Sequence, residues 1–332
     1  MAASETEKFD IYKDITDRLL AAYESGPHEW SKSWAGAGGL PINPTTGKPY
    51  TGHNCMLLLI QGRPNKHWLT FNQGKEIGAN VRKGEQGVRL YRLVEKEIKE
   101  EKKNGEEETK TIPVLKGFTV FNVDQFDNLP EHLRSAERNA DFKPNERAEA
   151  LADALVIRTG LTIDYGKGDP CYIPSVDKVV MPAREAFDDE SHFYTTLMHE
   201  CGHSTLAKNR LDRSEALGRF GSERYAREEL RVELASAFLA AETGVPLSEK
   251  HVESHAAYLQ SWAKALRDDK KEVMRACKDA YAICNYIVTN EAEFRKSMTA
   301  TAAKTGTVEK TQTATKERTA TTQAETAMAF RQ

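Results

Sequence analysis

The stretch Asp188-Asp189-Glu190-Ser191-His192-Phe193-Tyr194-Thr195-Thr196-Leu197-Met198-His199-Glu200-Cys201-Gly202-His203-Ser204-Thr205 decides how this chain is read. Two imidazoles four residues apart lie one above the other on a helix and can grip one metal ion. The glutamate after the first histidine then falls where a water would be activated for hydrolysis, which makes Glu200 the candidate general base. At about 100° per residue, Phe193, Tyr194, Leu197, Met198 and Cys201 share one side of the helix. His192, Thr196, His199 and His203 share the other. The apolar side predicts core packing and the histidine side a cleft, with Asp188 or Asp189 as N-cap. Cys201 projects away from His199 and is expected in the core rather than on the metal.

A catalytic zinc takes three protein ligands and keeps one position open, so a further donor is needed outside this helix. Residues Ser222 to Thr243 read as a second long helix, capped by Ser222 and stopped by Gly244-Val245-Pro246. It carries Glu228, Glu229 and Glu233 in an Ala- and Leu-rich run, and carboxylates beside buried residues need partners. Glu229 and Glu233 share a face at the i, i+4 spacing. One would ligate the metal while the other orients a ligating histidine. Glu229 is assigned as ligand and Glu233 as the orienting residue, with Glu233 the alternative ligand; Glu228 is expected to face solvent. The expected ion is Zn2+, with Mn2+ the alternative. Tyr194 and Tyr225 are candidates for stabilising an oxyanion, although spacing assigns neither. Upstream, Cys171 to Pro182 reads as two short strands whose edge could take an extended peptide as an added strand.

The first third of the chain has a different character. Between Trp30 and Arg92 the cations Lys32, Lys48, Arg63, Lys66, Lys75, Arg82, Lys83, Arg89 and Arg92 outnumber the acids, although the whole chain has a formal net charge of -3. Trp30, Trp34, Tyr50, His67 and Trp68 are interleaved with them. Bases stack on rings and cations follow phosphates, so the segment is a candidate nucleic-acid surface. Its candidate contacts are Trp30, Lys32, Trp34, Lys48, Tyr50, Asn54, Lys66, Trp68, Lys75, Arg82 and Lys83. No zinc finger, homeodomain or RNP signature is present, which favours single-stranded DNA over duplex.

Helices are expected from about Phe9 to Tyr23 and Cys55 to Ile60, and strands at Trp68 to Phe71, Val88 to Val94 and Phe118 to Val123. The charged run Glu95 to Lys110, with Asn104-Gly105 at its middle, predicts a long solvated hairpin tip. Later helices are expected over Glu146 to Thr159, Ser248 to Arg267 and Lys271 to Val288. With 332 residues and 39% hydrophobic content, the chain can bury two cores. No signal peptide or membrane-spanning run is read, so no membrane partner is expected. The 5 scattered cysteines fit a reducing cytoplasm.

The chain resembles the ArdC-type antirestriction proteins of conjugative plasmids and phages. The resemblance runs from about Tyr12 to Ile287. It rests on Pro41-Ile42-Asn43, Thr46-Gly47-Lys48-Pro49-Tyr50-Thr51-Gly52, Trp68-Leu69-Thr70-Phe71, Val81-Arg82-Lys83-Gly84-Glu85, Tyr172-Ile173-Pro174-Ser175, Asp177, the H-E-x-x-H, Asn209-Arg210-Leu211 and Arg219 to Ala226. Cys201-Gly202 and Ser204-Thr205-Leu206 depart from the family pattern. The resemblance implies an α+β, two-domain protein: a small N-terminal α+β domain that binds single-stranded DNA, and a mostly helical zincin-like metallopeptidase domain. On this reading residues 1–130 bind DNA, 131–145 form a linker, 146–292 form the peptidase domain and 293–332 are a disordered Thr/Ala-rich tail. The implied partners are single-stranded DNA and a protein substrate bound to it, in a cell receiving incoming DNA. The alternative is a non-enzymatic protein that coats single-stranded DNA and carries a structural metal site. The sequence leaves the oligomeric state open.

Overall fold

The structure is a computed structural model that describes residues 9–26, 30, 39–101, 107–134, 144–166, 168–187, 189–219, 221–255 and 258–299. Lys32, Trp34, the Asn104-Gly105 tip, most of the expected linker and the segment from residue 300 onward lie outside the described residues.

The N-terminal half opens with α1 (Ile11–Glu24), capped by the Asp10 carboxylate, which accepts from the backbone N–H groups of Tyr12 at 3.0 Å and Lys13 at 3.2 Å. Its stripe of Ile15, Leu19, Leu20 and Tyr23 is buried. There follow a two-residue pair, β1 (Ile42–Asn43) and β2 (Lys48–Pro49), then α2 (Gly52–Leu59), β3 (Trp68–Thr70), α3 (Phe71–Glu76) and β4 (Asn80–Val81). Next come β5 (Val88–Glu101), β6 (Glu107–Asn122) and β7 (Phe126–Asp127). An antiparallel sheet has the order β3-β6-β5, and β4 pairs with β7.

The charged run is strand rather than loop. β5 and β6 keep one unbroken register from Val88↔Val120 to Glu101↔Glu107, so the ladder extends through most of the segment expected to be solvated tip. Where β5 leaves the body of the protein, Glu95, Lys96 and Glu97 are exposed. A two-stranded ribbon without a helix over it is wetted on both faces, so it carries charges where a core-facing strand would carry alternating apolar residues.

The C-terminal half is mostly helical: α4 (Glu131–Arg134), α5 (Pro144–Thr159), α6 (Glu190–Ser204), α7 (Glu223–Thr243), α8 (Glu249–His255), α9 (Leu259–Asp268) and α10 (272–299). Between α5 and α6 lies a small sheet ordered β8-β10-β9, from β8 (Thr162–Tyr165), β9 (Cys171–Ile173) and β10 (Lys178–Met181). The expected Ser248–Arg267 helix is two pieces, α8 and α9. The last helix continues to residue 299, past the point where the tail was expected to start.

Arg210 explains why three separated sequence motifs go together. Its side chain is buried and donates from Nε to the Ser204 carbonyl at 2.7 Å, closing the end of α6. Its Nη1 donates to the Thr159 hydroxyl at 3.0 Å, and Nη2 pairs with Asp177 at the β9–β10 turn. Asp177 adopts the left-handed conformation, φ 49°, and accepts from the Tyr172 hydroxyl at 2.9 Å.

The two halves share one core. Tyr23 of α1 meets the Trp30 ring at 4.7 Å and the Trp262 ring of α9 at 5.2 Å. Trp30, Trp68, Phe238 and Trp262 all belong to a single buried cluster spanning both halves. This overturns the expectation of Trp30 and Trp68 as base-stacking surfaces: they are 0% and 2% exposed, and a base cannot reach a ring already covered by protein.

A smaller cluster of Leu69, Ala79, Val123, Phe126, Leu129 and Leu133 lies under α3. Gly74 of α3 faces the Phe126 ring so closely that an added methyl group would overlap it. Gly74→Ala is therefore expected to destabilise the protein by about 1–3 kcal/mol, read as a lowered midpoint in urea unfolding.

Candidate metal centre

α7 begins where Ser222 caps it, its hydroxyl accepting from the Tyr225 N–H at 3.2 Å, and ends at left-handed Gly244, φ 75°. It lies against α6 at close range, because Gly202 offers no side chain. A Cβ there would stand 2.9 Å from Val232 Cγ1. The unusual residue inside the H-E-x-x-H run thus lets the two helices approach.

That approach brings three donors together. His199 Nε2 and His203 Nε2 are 3.1 Å apart. Glu229 Oε2 is 3.5 Å from His199 Nε2, and its Oε1 is 3.3 Å from His203 Nε2. A tetrahedral zinc with bonds of about 2.0–2.1 Å separates its ligand atoms by roughly 3.3 Å, so the spacing and the donor chemistry both fit such an ion. His199 and Glu229 are buried, and His203 is partly exposed.

A glutamate of α7 stands behind each imidazole. Glu233 Oε2 is 3.7 Å from His199 Nδ1, and Glu228 Oε1 is 3.7 Å from His203 Nδ1. Glu228 therefore does not face solvent as expected; it is 4% exposed. The reason is a counterion from the preceding loop: Arg213 Nη1 donates to Glu228 Oε2 at 2.7 Å and Nη2 to the Thr205 hydroxyl at 2.9 Å. Glu233, fully buried, accepts from His251 of α8, whose Nε2 is 3.2 Å from Oε2. His251 was not singled out in the sequence. Its position two residues into a short helix, far from the H-E-x-x-H run, gives no spacing signal.

The charges respond to this crowding. Burial opposes a charged His203, but its hydrogen bonds to Glu228 and Glu229 lift its pKa to about 10. Burial would raise the Glu229 pKa, yet hydrogen bonds from His199 and His203 hold it well below the usual carboxylate range. Glu200 is 6% exposed, and its charge, after burial, contributes to raising the thiol of Cys171 on β9. Cys201 lies in the core, where burial pushes its thiol up to about 12. On the histidine side of α6, His192 and His203 are partly exposed. Phe193 through Gly202 are all buried, with α7 and α8 packed against α6.

The two tyrosines separate. Tyr194 donates to Glu149 at 2.7 Å and accepts from Arg184 at 2.9 Å, so its hydroxyl is committed to that polar group. Tyr225 is raised by burial and by hydrogen bonds to Tyr258 and Glu229, which places it beside the three-donor group.

The expected DNA-contacting residues scatter in role. Tyr50 is half-buried and donates to the Trp68 carbonyl at 3.2 Å. Asn54 is fully used in bracing Tyr91: Nδ2 donates to its carbonyl at 2.7 Å and Oδ1 accepts from its N–H at 3.1 Å. Lys66 is half-buried, and Arg82 is held by Glu85 and by the carbonyls of Asp124 and Phe126. Lys48, Lys75 and Lys83 are exposed. Phe71, not singled out before, is 46% exposed with Lys75 Nζ 4.8 Å from its ring centre. The signal for it was Thr70-x-x-Gln73, a capping box that starts a helix at Phe71 and turns its side chain out of the strand.

Residues 9–121 match the model of the N-terminal domain of anti-restriction factor ArdC, and residues 150–279 match that of a zincin-like metallopeptidase. Fold and site together define a two-domain protein with a zincin-like C-terminal domain. Crystal structures of the antirestriction ArdC protein from the R388 plasmid, one metal-free and one Mn(II)-bound, align with a TM-score of 0.66 and 34% identity, covering 86% of this chain and 99% and 100% of theirs. The uncharacterized protein y4eC of Sinorhizobium fredii (strain NBRC 101917 / NGR234) is 33% identical over 309 residues, 89% of this chain and 96% of that protein. The chain belongs to the ArdC family of antirestriction proteins. An Escherichia coli protein named DNA primase TraC is 37% identical over 301 residues, but this chain spans only 20% of its length. Among the described residues, no helix is long and apolar enough to cross a membrane.

The Arg213–Glu228 pair gives a direct test of the geometry. Arg213→Met takes the guanidinium from the buried Glu228 carboxylate, leaving only the His203 imidazole near it, and is expected to destabilise the fold by roughly 3 kcal/mol. Denaturant unfolding of the metal-free protein measures this.

Proposed function

We propose that this protein is a single-stranded-DNA-binding metallopeptidase that acts on proteins bound to incoming DNA and so shields that DNA from restriction. The observation that carries the reading is the grouping of His199, His203 and Glu229, with the two Nε2 atoms 3.1 Å apart and one Glu229 oxygen 3.5 and the other 3.3 Å from them, and Glu200 next to it in the helix. In this reading His199, His203 and Glu229 hold Zn2+, with Mn2+ the alternative. The ion when bound supplies Lewis-acid polarisation of a peptide carbonyl. Glu200 takes the proton of the attacking water and passes it to the leaving amine. Glu233 and Glu228 keep the two imidazoles turned toward the ion. Tyr225, whose hydroxyl bonds to Tyr258 and Glu229, is the candidate donor to the developing oxyanion in this reading. The outer strand β9, close to Glu200, is the edge along which an extended substrate segment would add.

DNA would be gripped by surface groups rather than by buried tryptophans. Phe71 and Lys75 form an exposed ring-and-cation pair, with Lys48 and Lys83 as further surface cations of the same half. Lys32 and Trp34 remain part of the proposal from sequence alone. The second reading, a DNA-coating protein with a structural metal, draws on the burial of the donors.

Glu200→Gln separates the two readings. It is expected to keep the wild-type metal content and to lose proteolysis of DNA-bound protein by about 10²–10⁴-fold, with loss of antirestriction protection. Full protection by this variant in recipient cells would select the coating role. Phe71→Ala is expected to weaken binding of a single-stranded oligonucleotide by about 1–3 kcal/mol. Lys75→Ala should reduce the steepness of the salt dependence by about 0.7 in a logarithmic plot, measured by fluorescence anisotropy.

A further inference from the structure

His199 belongs to two groups of potential ligands, and their spacing differs. The outer group, with His203 and Glu229, has the edges given above. The inner group is His199, Glu233 and His251, all buried. Its Glu233 Oε2 is 3.2 Å from His251 Nε2 but 3.7 Å from His199 Nδ1, and the latter is wider than the edge a tetrahedral zinc gives. Of these two edges only the one from Glu233 to His251 is a hydrogen-bond length; across the other the carboxylate faces His199 Nδ1 as a charge contact. A metal on His199 Nε2 requires the proton on Nδ1, directed at Glu233. With its proton on Nε2, His251 donates to the same carboxylate oxygen, and its Nδ1 then accepts from the Thr196 hydroxyl at 3.4 Å. His251 thereby ties the carboxylate that faces His199 Nδ1.

The connection closes on itself. Thr196 lies three residues before His199 on α6, so the path runs from His199 to Glu233 on α7, across to His251 on α8, and back to α6 one turn earlier. The His251 and His199 rings are 5.1 Å apart, edge to face. Resting on the reading of His199, His203 and Glu229 as the metal site, we infer that His251 is a positioning residue that fixes the Glu233 carboxylate and, through it, the orientation of the His199 imidazole.

The test uses the full chain, stripped of metal with a chelator, as wild type, His251→Leu, His251→Gln, Thr196→Val and His203→Ala. Zinc is titrated against a competing chelator for affinity and stoichiometry, and the gain in melting temperature on zinc addition is recorded beside the metal-free melting temperature. Wild type is expected to take one zinc. His251→Leu should also take one, but about 10–100-fold more weakly, with a smaller zinc-induced gain. His251→Gln, which can still present an N–H to Glu233, should recover most of that affinity, and Thr196→Val should lose about threefold. If His251→Leu does not fold, His251→Gln and Thr196→Val decide on the same criteria. Wild-type zinc affinity in both His251→Leu and Thr196→Val would overturn the inference. Two zinc ions in wild type and one in His251→Leu would also overturn it, since His251 would then be a ligand. Failure of the underlying site is distinct: wild type would bind no zinc, or His203→Ala would bind it as wild type does.

Discussion

Three buried carboxylates on one helix, Glu228, Glu229 and Glu233 of α7, set the terms for the whole C-terminal half. A carboxylate out of water must be met by a cation, a donor or a metal, and each of these meets a different one. Glu229 faces two imidazoles, Glu228 has a guanidinium, and Glu233 has a second histidine. The three solutions come from three directions: α6, the loop after it, and α8. The local order of chain around the site follows from the need to satisfy one helix.

The two imidazoles are consequently not equivalent. The glutamate behind His203 is pinned by the permanent charge of Arg213, whereas the glutamate behind His199 is pinned by a second imidazole. One brace is ionic and the other is a chain of hydrogen bonds ending on the same helix it supports.

Much of this was legible in the sequence, where local rules decide. Ser222 and Gly244 bracket α7 as capping chemistry requires, Asp189 caps α6, and the hairpin before α6 is where proline and alternation put it. The i, i+4 pairing of Glu229 and Glu233 places one carboxylate on each side of His199, toward Nε2 and toward Nδ1. Errors arose where a distant partner decides. Glu228 reads as a solvent-facing residue until Arg213 arrives from a loop. His251 has no periodic relation to the residues it touches. Trp30 and Trp68 read as stacking platforms because a basic, aromatic segment does not reveal that Trp262, more than 190 residues later, shares the core that covers them. The β5–β6 ribbon reads as loop because strand patterns are recognised by the apolar face that a free ribbon lacks.

The common core also bears on heredity. A seam through which Tyr23, Trp30 and Trp262 interlock cannot be cut without baring aromatic rings to water. That fits the sizes of the relatives: the match fills 96% of y4eC and occurs as one stretch making up 20% of the much longer TraC. In both relatives the two halves therefore stand side by side in one continuous match, as a shared core requires of them here.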